Sequence, residues 1–65
     1  MNLKQFIAKI GDKESAKLFN CSRRAAQSWR LGDRIPHPKQ SRTIVRVTAS
    51  HEHGPVTYNG IYGES

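Results

Sequence analysis

Residues 12–31 read Asp-Lys-Glu-Ser-Ala-Lys-Leu-Phe-Asn-Cys-Ser-Arg-Arg-Ala-Ala-Gln-Ser-Trp-Arg-Leu, and this stretch decides the fold. Ala16 is a small residue, suited to the point where a second helix crosses closely. Asn20 stands four positions on and tolerates positive φ, second in this only to glycine. Cys21 can point into a core as a small hydrophobe. Ser22 is a good N-cap, and Ala26 and Trp29 fall on the inward side of the helix behind it. Ala16, Asn20, Cys21, Ala26 and Trp29 are thus the core of a helix-turn-helix. Asn20 and Cys21 occupy the positions where glycine and an aliphatic residue are usual. Gly32 stops the second helix, and Pro36 and Pro38 lie just beyond.

Upstream, Asn2 can cap a helix in which Leu3, Phe6, Ile7 and Ile10 form one apolar stripe. Gly11 ends it in a left-handed conformation, and Asp12 caps the next helix, with Glu14 and Ser15 in its first turn. The links at residue 11 and residues 20–22 are short, which makes consecutive helices pack at an angle.

Downstream the signals conflict. Pro38 at a first helical position starts a fourth helix, yet Thr43-Ile44-Val45-Arg46-Val47-Thr48 has the β-branched composition of a strand. Asn59-Gly60 is a hairpin turn signal. Local propensity leaves two architectures for the single domain over residues 1–65: all-α with about five short helices, or α+β with a C-terminal β-hairpin.

Charge is distributed unevenly. The chain carries 11 Lys and Arg against 5 Asp and Glu, a net +6. All the basic residues lie between Lys4 and Arg46, so residues 1–48, with Asp12, Glu14 and Asp33, hold +8; Glu52 and Glu64 give the tail over 49–65 a charge of −2. A basic body of this kind suits a polyanionic partner. A single cysteine excludes an internal disulfide framework and fits a reducing cytoplasm. No apolar run is long enough to span a membrane, and the first ten residues read as an amphipathic helix rather than a signal peptide.

The outward face of the second motif helix presents Ser22, Arg23, Arg24, Gln27 and Ser28. Arginine pairs bidentately with guanine and glutamine with adenine, while Ser22 and the helix N-terminus can hold a phosphate. Lys13, Lys17, Arg30, Arg34 and Lys39 flank this face as candidate contacts to a DNA backbone.

The stretch Gly11-Asp12-Lys13-Glu14-Ser15-Ala16-Lys17-Leu18-Phe19-Asn20-Cys21-Ser22 resembles the helix-turn-helix of the Cro repressors of lambdoid phages. Ala26-Gln27-Ser28-Trp29-Arg30 through Ile35-Pro36 is similar to the same group. So is the tail, where Ile44-Val45 and Thr48 are followed by Val56-Thr57 and Ile61-Tyr62. The resemblance covers nearly the whole chain. It implies a transcriptional repressor that binds a pseudo-palindromic operator in double-stranded DNA as a homodimer, formed weakly and on the DNA. It implies residence at the nucleoid in the bacterial cytoplasm. The base and nearby phosphate contacts would fall to Ser22, Arg23, Arg24, Gln27 and Ser28. Cro proteins occur with helical and with hairpin second halves; Pro38 and the Val56–Tyr62 similarity favour helices at about 38–48 and 57–62, joined by a loop over 49–55.

Other function classes fare worse. His51 and His53 with Cys21 or His37 lack the second closely spaced pair of a structural zinc site, so no metal or cofactor is expected. Cys21 has no evident base, no carboxylate pair is poised for acid–base work, and an enzyme with a small-molecule substrate is not expected. RNA recognition usually needs exposed aromatics, and Phe6 and Trp29 sit on apolar stripes. The alternative that stands is a helix-turn-helix antitoxin or adaptor acting through protein contacts, with Val56, Tyr58, Ile61 and Tyr62 as its surface. The same residues of the tail over 49–65 can instead cover the core or make a dimer contact, and those roles are favoured.

Overall fold

Chain entry is fixed by a reciprocal cap. Asn2 Oδ1 accepts from the Gln5 backbone N–H at 2.8 Å, and Gln5 Oε1 accepts from the Asn2 N–H at 3.2 Å. Behind it runs α1 (Leu3–Ile10), followed by α2 (Asp12–Phe19), α3 (Arg23–Leu31), α4 (Pro38–Thr48) and α5 (Tyr58–Tyr62). The computed structural model describes residues 2–62, so Met1 and residues 63–65 of the expected domain and tail lie outside it. The described residues form an all-α domain of five helices without strands. None of these helices is long and apolar enough to cross a membrane.

The α1–α2 junction differs in detail from expectation. Gly11 has φ 93° and ψ 154°, a positive φ with an extended ψ rather than the left-handed helical conformation. Gly11 itself occupies the cap position of α2, with no side-chain cap bond, and Asp12 is the first helical residue. The reason lies across the fold, where the Asp12 carboxylate is held by an arginine of α3.

Helix α4 settles the choice between helix and hairpin. Ser41, Ile44 and Thr48 are buried while Arg46 is exposed. A strand would have put Arg46 on the same face as Ile44 and Thr48, whereas helical spacing turns it to solvent. The Asn59-Gly60 pair lies inside α5, which Thr57 starts: its Oγ1 accepts from the Gly60 N–H at 3.1 Å. Packing of Ile61 into the core overrides the local turn preference.

The core joins both halves. Leu3, Phe6, Ile7, Phe19, Trp29, Ile44, Val56 and Ile61 form one buried cluster. Phe6 and Phe19 have ring centroids 5.7 Å apart, and Phe19 and Trp29 are 6.5 Å apart. The His51 and Phe6 rings meet at 69° with their centroids 4.9 Å apart, closing the loop between α4 and α5 over α1. Gly54 passes so near Thr48 that a Cβ there would run into the Thr48 carbonyl oxygen. Tyr62 pins α5 to α4 through a 2.6 Å hydrogen bond between its hydroxyl and Ser41 Oγ.

Thr48 is the hinge of this closure. Its buried hydroxyl donates to the Ile44 carbonyl at 2.7 Å and accepts from the Val56 N–H at 3.0 Å. Thr48→Val keeps the shape but strands a buried N–H, so it should cost about 1–3 kcal/mol in urea unfolding. Wild-type stability in that variant would show that Val56 finds another acceptor.

Candidate nucleic-acid interface

The turn between α2 and α3 is built as the residue types require. Asn20 adopts φ 56° and ψ 49°, the left-handed conformation, and is the one described non-glycine residue with positive φ. This reversal lets the Cys21 N–H bond back to the Ala16 carbonyl at 2.9 Å. Ser22 then caps α3, its Oγ accepting from the Ala25 N–H at 3.0 Å. Ala16, Ala26 and Trp29 are buried, as the motif demands. Cys21 is only half-buried, at the margin of the core, and burial pushes its thiol above the ordinary range.

Seating Ala26 and Trp29 turns the opposite side of α3 outward. Ser22, Arg23, Arg24 and Gln27 are exposed there, and Ser28 is half-buried on its flank. No carboxylate occurs on α3. Lys13 and Lys17 on α2, Arg34 after α3, and Lys39 in the first turn of α4 are exposed as well.

Arg30 behaves differently. Its Nε donates to Asp12 Oδ1 at 2.8 Å and its Nη2 to Asp12 Oδ2 at 3.2 Å, a two-pronged pair between the C-terminal part of α3 and the start of α2. The hydrogen bond from Arg30 holds the Asp12 carboxyl below its usual range, helped by the charges of Arg30 and Arg23 and opposed by partial burial. Arg30, expected as a backbone contact, is thus engaged within the fold, where it braces α2 against α3. Neither partner alone signals this, because 18 residues separate them.

Two residues outside the expected set join this surface. His37 and Gln40, at the start of α4, line a groove together with Ser22, Arg24, Ser28 and Arg34. The sequence signal for them is Pro38, whose place at the helix start makes His37 its cap.

The histidines of the α4–α5 loop are engaged locally. His51 Nδ1 accepts from the His53 backbone N–H at 3.0 Å while its ring rests on Phe6. Among the described residues, no three His, Cys, Asp or Glu side chains come together as a metal site. No family model, curated protein or solved structure matches this chain.

Proposed function

We infer that the chain is a sequence-specific DNA-binding regulator that lays α3 in the major groove and represses transcription by covering a promoter. The observation that carries this reading is the two-faced character of α3. Its inner side is locked by Ala26 and Trp29, and its outer side offers Arg23, Arg24 and Gln27 to solvent without an acid among them. Side chains so held are pre-positioned for base edges. The exposed lysines of α2 and the first turn of α4 suit the flanking phosphates. In this reading two copies bind a pseudo-palindromic site, their recognition helices about 34 Å apart.

The test is a titration of two labelled duplexes at several salt concentrations. One carries the promoter region beside the protein's own gene, and the other is its scrambled counterpart. Affinity for the first should exceed that for the second by roughly 10³ or more, with a two-fold symmetric footprint. Lys17→Ala should weaken binding to both duplexes equally and flatten the salt dependence. Weak, equal and steeply salt-dependent binding to both would remove sequence-specific regulation.

That outcome would favour a second reading, which has its own observation. Ile35, Tyr58 and Tyr62 are 63%, 48% and 46% exposed and line one shallow apolar depression. Such a surface suits a protein partner, as in an adaptor or antitoxin of this fold.

A further inference from the structure

The groove beside α3 is lined from α3 by Ser22, Arg24 and Ser28. From the α3–α4 connection and the first turn of α4 it is lined by Arg34, His37 and Gln40. Each of these side chains can donate a hydrogen bond, the remaining lining residues Ala25, Trp29 and Ile35 bring no acceptor side chain, and no carboxylate lines the groove. Internal hydrogen bonds sharpen this bias. Gln40 Oε1 accepts from the His37 backbone N–H at 3.0 Å, which occupies the acceptor end of the amide and leaves its NH₂ free. Ser22 Oγ accepts from the Ala25 N–H at 3.0 Å, leaving its own O–H to donate.

With Arg24 committed to a base edge, the groove still offers hydrogen-bond donors and the Arg34 guanidinium, and these fit an anionic oxygen far better than a base edge, which presents acceptors and donors together. We propose that this groove seats a phosphodiester of the DNA strand flanking the bases that α3 reads, and that Gln40 contacts it. The proposal rests on the DNA-binding reading above and adds Gln40 to the contact that Lys39 already makes from α4 in that reading. The second half of the chain then sets the depth and register of α3 on the duplex, because one phosphate is gripped from both helices.

Gln40→Glu separates this role from a structural one. Glutamate at the third position of α4 keeps an acceptor for the His37 N–H and adds a favourable negative charge to the first turn. Thermal unfolding should therefore be unchanged or slightly raised. The same carboxylate would face the phosphate, so affinity should fall by roughly tenfold or more on the promoter and scrambled duplexes alike. Gln40→Ala should weaken both duplexes to a smaller extent and leave their ratio intact.

A free phosphate ion presents the same oxygens, so a further arm replaces chloride with inorganic phosphate at constant ionic strength. Unchanged duplex affinity is the expected result; displacement of the duplex at millimolar phosphate would overturn the assignment to the DNA strand. If the wild type binds DNA and both Gln40 variants bind as well as it does, the groove assignment falls while the reading of α3 stands. If the wild type binds neither duplex, both fall together.

Discussion

Trp29→Ala should lose about 3–5 kcal/mol of stability, because truncating a buried aromatic removes its burial and leaves a cavity. A domain of 65 residues is held together by roughly 3–10 kcal/mol in total, so the variant should forfeit from about a third of its stability to all of it and melt far below the wild type. The size of the effect follows from where the ring sits. Trp29 is 5% exposed, belongs to the single core cluster, and meets Phe19 of α2 across the motif. It is also the chain's only tryptophan, so the unfolding must be followed by far-ultraviolet circular dichroism rather than by indole fluorescence. Trp29→Phe should recover part of the loss, since a smaller ring fills part of the same space. DNA binding should disappear with the fold in Trp29→Ala and return in Trp29→Phe. A melting curve that did not move would place the ring outside the core and dissolve the argument that α3 is rigidly aimed.

The residues that specify the motif were legible because each satisfies a backbone demand that few residue types meet. Asn20 tolerates left-handed geometry, Ala16 allows a close crossing, and Ala26 and Trp29 are spaced by one helical turn. Ser22 and Asn2 announce helix starts through their own side-chain oxygens. Relations between distant segments were not legible. Asp12 looks like a cap until Arg30 is brought beside it, and Ser15 looks like an ordinary first-turn residue. It is in fact fully buried, and its hydroxyl has no hydrogen-bond partner. The tail was ambiguous because Thr43–Thr48 combines β-branched residues with a helical burial pattern. Only the position of Arg46 relative to the core separates the two. The groove at the start of α4 was hidden because its walls, residues 22–29 and 34–40, face each other only once the connection between α3 and α4 has folded back.

The double variant Arg24→Ala/Gln27→Ala tests the other face of the same helix and should leave the fold alone. Both side chains are exposed, and such substitutions usually change stability by no more than about 0.5 kcal/mol. Each base contact is worth about 1–3 kcal/mol of discrimination. If the two residues read different base pairs, their losses should nearly add, to about 2–6 kcal/mol. At 1.4 kcal/mol per factor of ten, affinity for the promoter duplex should drop from about 30-fold to about 20,000-fold. The scrambled duplex should lose far less, because it forfeits only the charge of Arg24, so the preference between the two duplexes should collapse. Equal weakening on both would mean that the outer face of α3 touches phosphates and reads no bases. A double variant that binds and discriminates like the wild type, with its melting curve intact, would mean that α3 does not enter the groove. The contrast with Trp29 is what gives the pair of experiments its force: one side of the helix should govern whether the protein folds, and the other which DNA it chooses.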